Sequence, residues 1–148
     1  ELDHRLLLTP SIKLRSAIKG SQGDVVYSVD LRVRQPNQNE YLSSAELHSV
    51  EHFLLEGFHR LMPEHFISVG IMGCQTGFYL IFLNEGRVSV IGAILAQILK
   101  EMDKATEVPY ANIEQCGHYE DHDLAKAKEV AQEILAREKE WLKAAQLS

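Results

Sequence analysis

The clearest hydrophobic pattern in the chain is the alternation of apolar and polar residues over residues 24–35. Successive side chains of a β-strand point to opposite faces, so this alternation predicts a strand with one buried face. The residues predicted to face the core are Val25, Tyr27, Val29, Leu31 and Val33. The opposite face carries Val26, Ser28, Asp30, Arg32 and Arg34, for which solvent exposure is the default expectation.

A second periodicity, in which apolar residues recur every three or four positions, covers residues 43–61. This spacing is typical of an amphipathic helix. Ser43 is a favourable N-cap, and Glu46 three residues later completes a capping box. The predicted apolar stripe consists of Leu47, Val50, Leu54, Phe58 and Leu61.

The rest of the chain is divided into predicted elements by its turn residues. Residues 1–23 are predicted to be irregular, and residues 108–115 to be extended or irregular. The remaining predicted elements are strands over 66–72 and 78–83, a helix over 89–104, and a helix from a cap at Asp121 or Asp123 to about Leu147. This order predicts an α+β two-layer sandwich with a mostly antiparallel sheet and helices packed on one face. We expect a single domain over residues 1–148.

Composition excludes several classes of protein. The 148 residues are enough for one domain with a real core. A formal net charge of −6, without a cluster of Lys and Arg, argues against a nucleic-acid surface. No apolar run approaches the length of a membrane span. Nothing indicates export, so Cys74 and Cys116 are expected to be reduced thiols in a cytoplasm.

Candidate chemistry begins with an H-x-x-E-H motif on the predicted helix, formed by His48, Glu51 and His52. The two histidines are one helical turn apart, so both imidazoles project from one side, and Glu51 lies on that side too. Two neutral imidazoles beside a carboxylate suit a divalent metal ion with its own acid/base group. The alternative is three polar residues on a solvated helix face, and the motif alone leaves both interpretations open.

A catalytic metal site of this type needs a third protein ligand and an open position. Cys116 is the most attractive candidate, because a thiolate binds borderline metals strongly and Gly117 allows close approach of the backbone. His118 and His122 are further donors, but the default for both is a surface histidine near a helix start. A fourth ligand from either residue would instead indicate a closed, structural zinc site.

Cys74 lies on the glycine-bracketed turn at residues 73–77, between two predicted strands. A thiol on such a turn is more accessible than one in a core. Cys74 and Glu51 are therefore candidate proton-transfer groups beside a Lewis acid. That combination suits reactions that move protons around a carbonyl, such as aldose–ketose isomerisation or β-elimination.

Taken in order, these motifs resemble those of the S-ribosylhomocysteine lyases, the LuxS family, over nearly the whole chain. The segments that carry the resemblance are Glu1-Leu-Asp-His4, Asp30-Leu-Arg32, Gln35-Pro-Asn37, His48-Ser-Val-Glu51-His52, Met72-Gly-Cys74-Gln-Thr-Gly77-Phe-Tyr, Ala105-Thr-Glu-Val-Pro109, Gln115-Cys116-Gly117 and His122-Asp-Leu. Each segment is a weak signal by itself. Their common order and spacing make the combination specific.

The resemblance implies cleavage of S-ribosylhomocysteine to homocysteine and 4,5-dihydroxy-2,3-pentanedione, the precursor of autoinducer-2. It implies Fe²⁺ as the metal, with Zn²⁺ or Co²⁺ able to substitute, and a homodimer whose active sites lie at the subunit interface. The roles that it implies are metal binding for His48, His52 and Cys116, proton transfer for Glu51 and Cys74, and substrate binding for His4 and Arg32.

The chain departs from the family pattern at three places. Gly70-Ile71 replaces Ser-Pro before the cysteine turn, His59 replaces an arginine, and Ser68 replaces an aspartate. The arginine and aspartate that His59 and Ser68 replace are expected near the amino-acid end of the substrate. One alternative function is therefore the same metal chemistry on a different sugar thioether. A second alternative is a metallopeptidase, because H-x-x-E-H is also the inverzincin signature. A peptidase, however, has no use for Cys74.

Overall fold

The computed structural model describes residues 3–142, which form one antiparallel sheet with three helices packed against it. The strands are β1 (Ser11–Lys19), β2 (Val25–Arg32), β3 (Phe66–Ile71) and β4 (Gly77–Leu83), and the helices are α1 (Ser44–Leu61), α2 (Val88–Met102) and α3 (Leu124–Leu135). The strand order in the sheet is β1-β2-β4-β3. The predicted α+β sandwich is therefore confirmed. Among the described residues, no helix is both long enough and apolar enough to span a membrane.

Strand β1 lies within the segment that was predicted to be irregular, so that prediction is wrong for residues 11–19. The strand pairs antiparallel with β2, and its register shifts between Leu14 and Ser16. Only its first two residues, Ser11 and Ile12, are buried. Apolar and polar residues alternate only over residues 11–15 before the register shifts, and this run is too short to predict the whole strand.

Strand β2 has the predicted core face, with Val29 and Leu31 fully buried. The expected exposure of the opposite face is wrong for Asp30 and Arg32, which are only 7% and 5% exposed. Asp30 Oδ2 lies 3.3 Å from Arg15 Nε of β1, and 4.0 Å from Arg32 Nη2. Asp30 and Arg32 are buried beside each other, and the exposed Arg15 side chain pairs with the Asp30 carboxylate from the edge of the sheet.

Helix α1 begins with the predicted capping box. Glu46 donates its backbone N–H to Ser43 Oγ at 3.2 Å, and the Ser43 N–H donates to Glu46 Oε1 at 2.8 Å. Gly57 allows α2 to approach closely, because a Cβ atom there would lie 2.5 Å from the Ile98 side chain. The helix is thereby fixed between the sheet and α2, with His48 and His52 against the segment that joins α2 to α3.

The last predicted helix is shorter than expected. Asp123 is its N-cap, since its side chain accepts the Lys126 N–H at 3.0 Å, but α3 ends at Leu135. A 3₁₀ turn follows at Glu138–Glu140. Trp141 is buried and donates its indole N–H to the Ile134 carbonyl at 2.9 Å, which folds the chain back onto α3. Positions 143–148 of the predicted helix lie outside the described residues.

Candidate metal centre

Four side chains with metal-binding atoms converge between α1 and the segment that precedes α3. They are His48, His52, Cys116 and His122, and their ligand atoms all lie within 4.8 Å of one another. Cys116 Sγ is 3.3 Å from His48 Nε2 and 3.6 Å from His122 Nε2. Neighbouring ligands of a tetrahedral ion are about 3.5 Å apart when metal–ligand bonds are about 2.0–2.3 Å long. The spacing of these atoms therefore suits one metal ion.

His48 and His52 are held in the tautomer that a metal ion requires. His48 Nδ1 lies 3.0 Å from the Asp121 carbonyl oxygen, and His52 Nδ1 lies 2.7 Å from the Pro109 carbonyl oxygen. A carbonyl oxygen can only accept, so each Nδ1 carries the proton and donates it. Each Nε2 then has a free lone pair, as in many metal sites in which a backbone carbonyl orients the histidine. The donor set therefore fits a bound transition-metal ion.

His122 was expected to be a surface histidine, and this expectation is wrong. Its ring is half-buried, and Nδ1 lies 3.2 Å from Ser49 Oγ, which also accepts the Asp123 backbone N–H at 2.9 Å. Burial, together with the charge of the two α1 histidines, lowers the pKa of His122 to about 4. A neutral His122 can offer Nε2 either as a lone pair or as an N–H donor to Cys116. The density of metal-binding residue types over residues 116–123 was the sequence signal for this cluster.

His118 has the exposed position that was expected of it, with 74% of its side chain accessible. Its contribution comes from the main chain, because its backbone N–H donates to Cys116 Sγ at 3.4 Å. This bond orients the Cys116 side chain, whose sulfur is one of the metal-binding atoms of the cluster.

Glu51 lies on the same helix and is half-buried. Burial raises the pKa of this carboxyl group, although the charges of His52 and His48 act in the opposite direction. A carboxyl group with a raised pKa exchanges protons closer to neutral pH than an exposed one. Its position and its protonation equilibrium both suit a general acid or base.

Cys74 occupies an accessible position on the turn between β3 and β4, as predicted. Arg32 Nη1 donates to Cys74 Sγ at 3.5 Å, and Thr76 Oγ1 lies 3.0 Å from the same sulfur. Burial raises the pKa of this thiol, but the hydrogen bonds from Thr76 and the charge and hydrogen bond of Arg32 outweigh it and lower the pKa below its usual value. The structure thus brings two sequence-predicted residues, Arg32 and Cys74, into contact. Thr76 is a neighbour that sequence analysis missed.

The predicted substrate-binding residue His4 lies in a 3₁₀ turn at His4–Leu6 and is exposed. Its carbonyl oxygen accepts from Gln35 Nε2 at 3.4 Å. Its charge acts on the buried Asp30 carboxylate, together with Arg15 and Arg32. His4 and Arg32 therefore both act electrostatically on the Asp30 carboxylate.

The whole chain resembles proteins of known activity. Residues 1–145 match the family described as S-Ribosylhomocysteinase (LuxS). Over 140 residues, the chain is 42% identical to the S-ribosylhomocysteine lyase of Halobacillus halophilus, and the alignment covers 95% of this chain and 91% of that protein. The S-ribosylhomocysteine lyases of Staphylococcus saprophyticus and Staphylococcus aureus are 38% and 39% identical over 140 residues, with 95% of this chain and 88% of each relative covered.

Proposed function

The chain belongs to the S-ribosylhomocysteinase (LuxS) family of carbon–sulfur lyases, and on that premise we propose that it cleaves S-ribosylhomocysteine to homocysteine and 4,5-dihydroxy-2,3-pentanedione. The observation that carries the proposal is the convergence of His48 Nε2 and His52 Nε2 on Cys116 Sγ, with both histidines fixed by carbonyl groups. In this proposal residues 1–148 act as a single lyase domain, and the dihydroxypentanedione product feeds autoinducer synthesis.

His48, His52 and Cys116 are the proposed metal ligands. The proposed ion is Fe²⁺, with Zn²⁺ or Co²⁺ as substitutes, and when bound it supplies a Lewis acid for the oxygen atoms of the sugar. The two imidazoles and one thiolate leave a fourth position for the substrate, provided that His122 keeps its hydrogen bond to Ser49 and does not coordinate. His122 then contributes an N–H group toward Cys116, which orients the thiolate.

Glu51 and Cys74 are the proposed proton carriers. Migration of the carbonyl group along the ribose requires a proton to leave one carbon and another proton to arrive at its neighbour. The environments of the two residues shift their pKa values in opposite directions, since the pKa of Glu51 is raised and that of Cys74 is lowered. In the final step a base removes a proton next to the ketone, and the electron pair expels the homocysteine sulfur from the neighbouring carbon.

Arg32 and His4 are the proposed substrate-binding residues. Arg32 directs one nitrogen toward Cys74 and Thr76, and its remaining N–H groups are available to sugar hydroxyl groups near the reacting thiol. The charge of His4 acts on Asp30. The support for Arg32 is its contact with Cys74, and the support for His4 is its electrostatic effect on Asp30, which lies beside Arg32.

A homodimer is part of the proposal. The sheet face opposite the helices carries Ile18, Val26 and Tyr79, which are 67%, 37% and 44% exposed. The strand register puts these residues on the same face as Asp30, because Tyr79 pairs with Asp30, and Ile18 with Val26. An apolar patch on a sheet face is typical of a protein–protein interface. Association through this face brings the Arg32 and Cys74 region to the interface and completes each active site.

The proposed partners are thus a small-molecule substrate and a second copy of the chain, with no nucleic acid and no membrane. We also propose a cytoplasmic location. Its support is that Cys74 and Cys116 are both free thiols, which a reducing compartment preserves.

A second candidate substrate is a different sugar thioether. His59 is exposed at the end of α1, and its ring packs edge-on against Phe66 with centroids 4.9 Å apart. Ser68 is exposed on β3. These are the positions at which the sequence lacks the arginine and aspartate that are usual in the family, so the end of the substrate that carries the amino acid is where specificity can differ.

The test is a thiol-release assay. Fe²⁺- or Co²⁺-loaded protein is incubated with S-ribosylhomocysteine, and free homocysteine is measured with a thiol reagent. Release by the unmodified protein but not by the Glu51→Gln variant supports the proposed reaction. Failure of a protein that holds one metal ion per chain to release the thiol rejects S-ribosylhomocysteine as the substrate. The double substitution His59→Arg and Ser68→Asp then tests whether thiol release from S-ribosylhomocysteine appears.

A further inference from the structure

A hydrogen-bonded chain connects Arg32 to Cys74 through the hydroxyl group of Thr76. Arg32 Nη1 donates to Thr76 Oγ1 at 2.8 Å, and Thr76 Oγ1 lies 3.0 Å from Cys74 Sγ. A guanidinium group has no acceptor, so Oγ1 accepts the bond from Arg32. The proton of the hydroxyl group is therefore free to point at the sulfur. When Cys74 is a thiolate it has no proton to give, so in that state the Thr76 hydroxyl group is the donor of the Thr76–Cys74 bond.

The backbone fixes Thr76 in this position. The Thr76 carbonyl oxygen accepts the N–H groups of Val33 at 2.8 Å and Arg34 at 3.1 Å, just beyond the end of β2. The next residue is Gly77, where a Cβ atom would lie 2.2 Å from the Leu31 carbonyl oxygen. The missing side chain allows the turn to approach β2 closely. These main-chain contacts do not depend on the Thr76 hydroxyl group, so that group can be removed without removing them.

The Thr76 side chain is completely buried, whereas the Cys74 side chain is accessible. Because Thr76 is 0% exposed, water cannot replace Arg32 or Cys74 as a hydrogen-bond partner of its hydroxyl group. The positive charge of Arg32 acts on the Cys74 thiol and lowers its pKa. Asp30, which faces Arg32 from the same strand, is 4.0 Å from the guanidinium on its Nη2 side.

We propose that Thr76 is a positioning residue for Cys74, whose hydroxyl group donates a hydrogen bond to the sulfur and stabilises the thiolate relative to the thiol. This inference rests on the proposed function, in which Cys74 carries a proton. Polarisation by Arg32 strengthens the bond from Thr76, because a hydroxyl group that accepts from a cation is a better donor. Cys74 Sγ thus faces three donors, which are the Arg32 guanidinium group and the hydroxyl and backbone N–H groups of Thr76. Loss of the hydroxyl donor leaves the thiolate less stabilised, so the pKa of Cys74 rises and a smaller fraction of the thiol is ionised at a given pH.

The test compares Thr76→Val, which keeps the shape but loses the hydroxyl group, with Thr76→Ser, which retains it. The rate of Cys74 alkylation by iodoacetamide is measured as a function of pH on the Co²⁺-loaded protein, with the Cys74 peptide quantified by mass spectrometry. Thr106→Val, at an exposed threonine, is the matched control.

Thr76→Val is expected to raise the midpoint of the alkylation profile by about one pH unit and to slow alkylation roughly tenfold at a pH below both midpoints. Thr76→Ser and Thr106→Val are expected to retain the wild-type midpoint. An unchanged midpoint in Thr76→Val overturns the proposal. If Thr76→Val does not fold, the smaller Thr76→Ala variant is held to the same prediction. The alkylation rate can be measured without catalytic turnover. Absence of lyase activity in the wild type would therefore refute the proposed function, whereas the alkylation midpoints would still decide the role of Thr76.

Discussion

Cys116 Sγ and His48 Nε2 lie 3.3 Å apart although 68 positions separate the two residues in the chain. His48 comes from the first turns of α1, and Cys116 from the segment between α2 and α3, which has no regular secondary structure. The carbonyl groups of Asp121 and Pro109 join that segment to the histidines of α1. The same backbone atoms therefore hold the segment against the helix and orient the rings for a metal ion.

Replacement of the cysteine ligand should remove the metal ion. Cys116→Ser exchanges a thiolate for a poorly ionised hydroxyl group, and we expect metal affinity to fall by at least about 100-fold, more than is usual for outer-shell partners. The measurement is metal content per chain after dialysis against a competing chelator. His118→Gln is the matched control, because the His118 side chain is exposed. Equal metal retention by Cys116→Ser and the wild type would exclude Cys116 as a ligand.

Glu51→Gln should lose activity yet gain stability. If Glu51 is a general base, its replacement lowers the rate by about 10²–10⁴-fold without loss of metal. Burial raises the pKa of Glu51 above the usual value of a glutamate, so the wild type loses stability relative to Glu51→Gln as the pH rises through the folded-state pKa.

Urea unfolding of the metal-free proteins at pH 4 and pH 7 measures this difference. Glu51→Gln should be the more stable protein at pH 7, and the gap between the two should narrow at pH 4, where the wild-type carboxyl group is protonated in both states. A variant that is less stable by the same amount at both pH values would show that the burial of Glu51 does not oppose its ionisation.

Gly77→Ala should destabilise the sheet. The added Cβ atom would lie 2.2 Å from the Leu31 carbonyl oxygen, so β2 and β4 must separate beside Arg32. We expect a loss of roughly 1–3 kcal/mol or more in the free energy of unfolding. Gly70→Ala is the control, because nothing lies within 4 Å of a Cβ atom at that position of β3. Comparable unfolding midpoints for the two variants would contradict the close approach at Gly77.

Ile18→Glu should weaken the proposed dimer. Ile18 is 67% exposed on the sheet face that the helices leave open, so a charge there would be buried without a partner on association. The dissociation constant is expected to rise by at least about 100-fold, as measured by light scattering over a dilution series. Ala125→Glu changes an exposed position on α3 and should leave the constant unchanged. A wild type that is monomeric throughout the series would refute the interface itself.

Elements with a regular periodicity were the ones that the sequence predicted well. Helix α1 and its capping box follow from local spacing, and so does the core face of β2. The motif residues His48, His52 and Cys116 were recognised by residue type, and their proximity in space agrees with that recognition. The helix and the strand face could be predicted because their patterns lie within a short stretch of sequence. The metal ligands could be predicted because His and Cys in such a motif seldom serve a purely structural role.

Features that depend on long-range contacts were missed. The burial of Arg32 follows from Thr76, which is 44 positions away, so the polarity of the β2 face indicated exposure. His122 joins the metal cluster through Ser49, which is 73 positions away. Strand β1 was missed because its pairing with β2 is irregular and leaves most of it exposed. None of these contacts between distant residues can be predicted from the periodicity of the sequence.

The most direct test of the central claim is a Co²⁺ titration of the metal-free protein that follows two signals together. One is the charge-transfer absorption of a cobalt–thiolate bond, and the other is homocysteine release from S-ribosylhomocysteine. The two signals should rise in proportion and saturate together at one ion per chain, with the thiolate band absent in Cys116→Ser. Thiol release by the metal-free protein, or saturation of the thiolate band without any release, would contradict a metal-dependent lyase at this site.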